Sequence, residues 1–257
     1  MFTLTGQAAI SAVLLLFAAV AWRIVRAIPR DSETYRFGWA LTAATFTIRG
    51  LNSAFHDAFS IVGFAAGPDS WAWSAVISWH PVLNHSRTFL LITFCILFTV
   101  VLVRAGRGRA EPGLRRALLV LAAGMVAGGA VGWVEPDFSG LSHYTAVAVW
   151  DVVELLAMLS LLFVGLNSGR MDRGLWYCLG INAFVLALSV LWFAALIRID
   201  FGGQWAPERY HIHLTKAFLY VLMVGVAYRQ LGRMRNGERM KGFFGPAGGK
   251  MMPSLHG

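Results

Sequence analysis

Four ionisable side chains lie inside apolar segments of this sequence, where a charge is costly. Arg49, Asp151, Glu154 and Lys216 are each flanked by runs of apolar residues. At the centre of a bilayer an unpaired charge costs at least about 2.5–3.5 kcal/mol, so such residues face a protein interior. Two cations and two carboxylates at overlapping depths predict two pairs, Lys216 with Asp151 and Arg49 with Glu154, or the reverse pairing.

Other polar residues share helix faces with these charges. Arg49, Asn52 and His56 recur at helical spacing, and His213, Lys216 and Tyr220 form a second row. Residues three or four apart lie on one face of a helix, so both rows predict interior surfaces. Together the rows predict one outward-opening polar pocket, which is lined by Arg49, Asn52, His56, His85, Asp151, Glu154, Lys216 and Tyr220. A purely structural role is the competing interpretation, since buried ion pairs also fix the register of helices.

The histidines add a possible metal or haem site. Six of the 7 histidines map to the same, outer half of the predicted helices: His56, His80, His85, His143, His211 and His213. The predicted metal ligands are His56, His85 and His213. The pair His211 and His213 is a weak signal, because a regular helix puts residues two apart on nearly opposite faces. Single histidines at a membrane surface are more often hydrogen-bonding residues, so the metal ion or haem stays an alternative.

The composition indicates a membrane protein. The chain is 57% hydrophobic and only 14% charged, with a mean hydropathy of +0.61. Such a composition is typical of a polytopic membrane protein and too apolar for an ordinary soluble domain. Both cysteines, Cys95 and Cys178, lie in apolar runs without a metal-type spacing and are predicted to be packing residues.

The apolar runs predict an all-α bundle of seven transmembrane helices within residues 1–231. Each run is long enough to cross a hydrocarbon layer about 30 Å thick. The predicted helices are Gly6–Val25, Phe37–Phe64, Pro81–Val103, Leu114–Val134, Tyr144–Leu166, Leu175–Ile197 and Tyr210–Tyr228. Residues 232–257 form a basic tail that contains Gly and Pro, and we expect it to be disordered.

The distribution of Lys and Arg predicts the orientation. Of the 22 basic residues, 17 fall in the connections and tail on one side, and only Arg198 and Arg209 fall on the other. Basic residues accumulate on the cytoplasmic side, so we expect the N-terminus outside and the C-terminus in the cytoplasm of a bacterial-type inner membrane. The net charge of +9 is then a topology signal. The expected partners are the bilayer and a membrane or cytoplasmic protein, not a nucleic acid.

Three enzymatic or cofactor-binding classes fit parts of the pattern. A haem protein needs histidines at similar depth on facing helices, as His56 with His213 or His85 would provide. A zinc-dependent intramembrane hydrolase needs three ligands and an activated water. A retinal protein would use Lys216 as its Schiff base. However, the third helix contains no Asp or Glu to serve as the counter-ion that microbial rhodopsins carry there.

The segment HLTKAFLYVLMVGVAYRQL resembles the last helix of bacterial seven-helix membrane sensor domains. The resemblance covers about twenty residues, centred on His213 and Lys216, and implies a bundle that senses a ligand at its outer face. Such domains normally precede a kinase or cyclase, so the resemblance implies signalling through a partner protein. A weaker resemblance, to the alkaline ceramidase and adiponectin-receptor family, rests on SAFH (Ser53–His56), one residue shorter than that family's motif. HIHLTK also lacks the family's His-x-x-x-His. A sensor, binding or accessory subunit is therefore the leading expectation.

Overall fold

The computed structural model describes residues 2–29, 33–67, 69–109, 112–138, 143–200 and 209–236. Within these ranges the chain forms seven α-helices: α1 (Phe2–Ala27), α2 (Glu33–Ala66), α3 (Trp71–Gly106), α4 (Leu114–Phe138), α5 (His143–Ser168), α6 (Arg173–Asp200) and α7 (Arg209–Arg235). The all-α class and the seven helices are as predicted. Residues 237–257, most of the predicted tail, lie outside the described residues.

The predicted start of α3 is wrong by ten residues. The sequence places it at Pro81, but the helix begins at Trp71 and continues through the proline. Ser70 caps it: its side chain accepts a 3.1 Å hydrogen bond from the backbone N–H of Trp73. The missing N–H of a proline removes one bond from a helix, and transmembrane helices tolerate this because neighbouring groups satisfy the freed backbone atoms.

Six of the helices form a closed ring. Going around it, α1 packs against α2, α2 against α3, α3 against α5, α5 against α6, α6 against α7, and α7 against α1. The remaining helix, α4, packs mainly on the outer side of α3. Polar side chains of α2, α3, α5, α6 and α7 can therefore meet in the interior of one ring.

Glycines explain how closely α4 approaches α3. Gly124, Gly128 and Gly132 recur every four residues and form a stripe along α4. A Cβ at Gly128 would lie 2.6 Å from Cβ of Phe89, and one at Gly132 would lie 2.7 Å from the carbonyl carbon of Pro81. Stripes of small residues let membrane helices pack with their backbones close together.

Apolar side chains cover much of the outer surface. Val126, Phe163 and Leu191 are each more than 60% exposed, a surface that hydrocarbon solvates better than water. Five of the described helical segments are long and apolar enough to cross a membrane: Ala8–Ala27, Trp71–Gly106, Leu114–Val134, Val147–Ser168 and Arg173–Trp192. Among the described residues, α2 and α7 are too polar to meet the same criterion, and these two helices carry Arg49 and Lys216.

Candidate functional site

The polar face of α2 points into the ring. Arg49, Asn52 and Ser53 are buried, whereas Leu51 and Phe55 on the other side of the helix are more than half exposed. A helix whose polar face is inside and whose apolar face is outside suits a bundle surrounded by lipid. The interior face of α2 therefore supplies part of a polar site.

Arg49 reaches across the ring to α6. Its Nη1 donates a 3.1 Å hydrogen bond to Oδ1 of Asn182, and the hydroxyl of Tyr220 donates a 3.3 Å bond to the same oxygen. The guanidinium carbon of Arg49 also lies 5.9 Å from the ring centroids of both Phe46 and Tyr220, within range of a cation–π contact. One amide oxygen thus joins α2, α6 and α7 at the centre of the bundle.

Three buried polar atoms at this centre have no hydrogen-bond partner among the described residues. They are Nε of Arg49, Nδ2 of Asn182 and Oε1 of Glu154. All three side chains are at least nine-tenths buried. More than 90% of buried polar groups in proteins are paired, so unpaired ones call for a partner such as a bound solute or water.

The carboxylates of α5 lie among the interior cations without touching them. Among the charged residues around Lys216, Asp151 interacts with it most strongly. Among those around Glu154, Arg49 interacts with it most strongly. For Asp151, however, Arg87 is a stronger neighbour than Lys216. Among the described residues, no Lys or Arg nitrogen lies within 4.0 Å of either carboxylate. The predicted partners are therefore electrostatic neighbours, and the predicted direct ion pairs are not present.

The third helix brings Arg87 and His85 to the same region. Arg87 Nη2 donates a hydrogen bond to Oδ1 of Asn84, one turn earlier on α3. His85 is buried, and its Nδ1 lies 2.8 Å from the backbone oxygen of Pro81. The sequence places Arg87 within a helix but assigns it no role. In the structure it is the third cation of the interior site, after Arg49 and Lys216.

A separate polar chain joins α1, α2 and α3 nearer the end at which α1 begins. His56 Nε2 lies 2.7 Å from His80 Nδ1, and His56 Nδ1 lies 3.7 Å from Oδ1 of Asp57. The hydroxyl of Ser11 donates a hydrogen bond to Oδ2 of Asp57. A bond between two imidazole rings requires one ring to donate and the other to accept. The chain therefore fixes one ring relative to the other and ties three helices together.

The structure does not assemble a metal centre from the described residues. No group of three His, Cys, Asp or Glu side chains within them could hold a metal ion. His56 pairs with His80, whereas the ring of His213 lies 6.3 Å from that of Trp192. The metal assignment to His56, His85 and His213 stays a prediction. The side chains of His143 and His211 lie outside the described part of the structure.

A third polar cluster, centred on Asp172, lies at the opposite end of the bundle from the His56–His80 pair. Its Oδ2 accepts bonds from Trp39 Nε1 at 3.2 Å and from the backbone N–H of Leu175 at 3.0 Å. Its Oδ1 accepts a 2.9 Å bond from Gln230 Nε2. The carboxylate caps the start of α6 and joins it to α2 and α7. Burial raises the pKa of Asp172 above its usual value, against the effect of these hydrogen bonds.

The sequence reasoning missed Asn182, Asp172 and Gln230. Asn182 is an isolated polar residue in the apolar run of α6, and the argument applied to Lys216 would also have singled it out. Asp172 directly precedes Arg173, the first residue of α6, and an acidic residue at that position is a recognised helix-start signal. Gln230 carries no comparable signal in the sequence.

Comparison with known protein families, with curated proteins and with solved structures finds no match to this chain. Within the described residues, the interior site offers three cations, two carboxylates and three buried polar atoms without a hydrogen-bond partner. Such a set can bind a small polar solute by charge-assisted hydrogen bonds.

Proposed function

We propose that this protein is a seven-helix inner-membrane sensor, binding or accessory subunit that binds a small polar solute within its helix ring. The observation that carries the proposal is the set of unpartnered buried atoms around the Arg49–Asn182 bond. In a structural polar network every donor and acceptor normally has a hydrogen-bond partner, since a network with unpaired groups is less stable than an apolar core. A bound solute would supply the hydrogen-bond partners that the network around Arg49 and Asn182 lacks.

The proposed orientation places the N-terminus outside and the C-terminus in the cytoplasm. It is supported by the 17 of 22 basic residues on the proposed cytoplasmic side. In this orientation the His56–His80 pair lies towards the outer face and Asp172 towards the cytoplasm. A reporter that is active only in the cytoplasm should be active when fused after Leu231 and inactive when inserted near Asp69. The reverse pattern would show that the proposed orientation of the protein in the membrane is inverted.

Solute binding is tested by thermal unfolding of the purified full-length protein. A panel of small cations, anions and neutral solutes should contain members that raise the unfolding temperature, because a ligand of the folded state stabilises it. Arg49→Met should remove that protection. Arg36→Met, on the exposed part of the same helix, should keep it. If no solute protects the wild type, or if both variants respond alike, the binding function is wrong.

For the metal-enzyme or haem alternative, no group of three His, Cys, Asp or Glu side chains among the described residues could hold a metal ion. An absorption spectrum and a metal analysis of the same purified protein distinguish the solute-binding proposal from this alternative. A Soret band, or stoichiometric zinc or copper that is lost on His56→Ala and His213→Ala, would replace the solute-binding proposal with that alternative.

A further inference from the structure

The interior site has more cations than carboxylates. Arg49 on α2, Arg87 on α3 and Lys216 on α7 are electrostatic neighbours of two carboxylates, Asp151 and Glu154, both on α5. When all five side chains are ionised, this region holds three positive and two negative groups. An uncompensated charge in a bundle interior is unfavourable unless a counter-charge is bound or a group changes its protonation.

The unpartnered groups beside this charge are mainly donors. Asn182 Oδ1 accepts from both Arg49 and Tyr220, which orients the amide and leaves its Nδ2 hydrogens without a partner among the described residues. Nε–H of Arg49 is likewise unpartnered. Excess positive charge together with unpartnered N–H donors favours the binding of an oxyanion.

One acceptor is also unpartnered. Oε1 of Glu154 is buried and has no hydrogen-bond partner among the described residues, and Glu154 is an electrostatic neighbour of Arg49. A ligand that presents only an anionic group would leave this oxygen unsatisfied. A ligand that also carries an O–H or N–H would satisfy it.

We infer that the interior site binds a small monovalent carboxylate that carries a hydroxyl group. This inference rests on the proposed solute-binding function and names the class of solute. Arg49 and Asn182 hold the carboxylate, Lys216 and Arg87 supply the excess positive charge, and Glu154 accepts the hydroxyl hydrogen. The carboxylate supplies the negative charge that the five ionised side chains lack.

The test is the unfolding temperature of the purified full-length protein in sodium glycolate, glycine, acetate or octanoate, each with ionic strength held constant by sodium chloride, and in sodium chloride alone. Glycolate at about 100 times its Kd should raise the unfolding temperature by about 5–10 °C. Glycine, whose ammonium group cancels the charge of its carboxylate, should act more weakly. Acetate should act more weakly, and chloride should have little effect. Equal shifts for acetate and glycolate would overturn the role of Glu154. A shift with octanoate but not with glycolate would assign the carboxylate to a membrane lipid and overturn the small-solute inference.

Two substitutions of similar shape move the charge balance in opposite directions. Asn182→Asp keeps the acceptor for Arg49 and Tyr220 but adds the missing negative charge, so it should fold at least as stably and lose the glycolate shift. Glu154→Gln removes a negative charge and should strengthen the response to acetate. Arg229→Met, an exposed position on α7, should leave both responses unchanged.

These outcomes separate the inference from the proposed function. Protection by neutral or cationic solutes alone, lost on Arg49→Met, would refute the carboxylate inference and keep the binding function. An Asn182→Asp variant that still responds to glycolate would also refute the inference. If no solute in the panel protects the protein, both the carboxylate inference and the solute-binding function are refuted.

Discussion

Arg49 and Asn182 are 133 residues apart in the sequence and form a 3.1 Å hydrogen bond across the interior of the helix ring. Their helices, α2 and α6, are not among the closely packed pairs. The long arginine side chain spans the interior, and the amide receives it together with the hydroxyl of Tyr220. This bond therefore connects opposite sides of the ring.

Replacing Asn182 should destabilise the protein. In Asn182→Leu, both Arg49 Nη1 and the hydroxyl of Tyr220 lose their acceptor in a buried site, at a cost of about 1–3 kcal/mol. For a chain of this size that corresponds to a fall of roughly 2–10 °C in unfolding temperature. Asn167→Leu, at an exposed position on α5, is the control and should change the temperature little. Equal effects of the two substitutions would contradict the proposed importance of the Arg49–Asn182 bond.

Lys216 and Asp151 should be energetically coupled although they are not in direct contact. Lys216→Met removes the cation with which Asp151 interacts and should lower the unfolding temperature, because a carboxylate loses compensation in the interior. Adding Asp151→Asn should recover part of the loss. The recovery should be incomplete, because Arg87 is the stronger neighbour of Asp151. Strictly additive effects in a double-mutant cycle would show that the two residues do not interact.

Asp172 should make stability depend on pH in the acidic range. Burial raises its pKa above the usual 3.8, so the folded state holds the proton more tightly than the unfolded state. This tighter proton binding adds to the free energy of unfolding, and the contribution is fully present below about pH 3.8. It is lost as the pH rises through the folded-state pKa, by at most about 1.4 kcal/mol per pH unit.

The matched variant is Asp172→Asn, which cannot ionise. Asparagine can still cap α6, and the amide of Gln230 can turn to accept a hydrogen bond from the new side chain. The difference in unfolding temperature between wild type and Asp172→Asn should therefore change as the pH rises from about 4 to 7, to the disadvantage of the wild type. Asp69→Asn, at an exposed position, serves as the control. Parallel pH profiles for wild type and Asp172→Asn would disprove the effect of burial.

Gly128 should not tolerate a side chain. A Cβ in Gly128→Ala would lie 2.6 Å from Cβ of Phe89 and would also collide with the backbone of α3. Overpacking of this kind typically costs about 1–3 kcal/mol. Gly225→Ala on α7 has nothing within 4 Å of the added Cβ and should be neutral or stabilising by up to about 1 kcal/mol. Thermal unfolding of both variants compares them directly, and a neutral Gly128→Ala would argue against the close α3–α4 contact.

Hydrophobic length and helical period alone predict the seven helices and the inward polar face of α2. Both properties are local: about 20 apolar residues form a helix in a bilayer, and residues three or four apart share a face. The cost of a buried charge likewise singled out Arg49, Asp151, Glu154 and Lys216 before any packing was known. The start of α3 was missed because Pro81 is a local breaker signal that the longer helix overrides.

The partners of these residues depended on the tertiary structure. Which helices adjoin, and how each is rotated, follows from contacts such as that of the glycine stripe of α4 with α3. That arrangement places Asn182 opposite Arg49, His80 beside His56, and Trp39 and Gln230 around Asp172. A hydrogen bond needs its atoms within about 3 Å, and no local pattern in the sequence specifies the distance between residues on different helices.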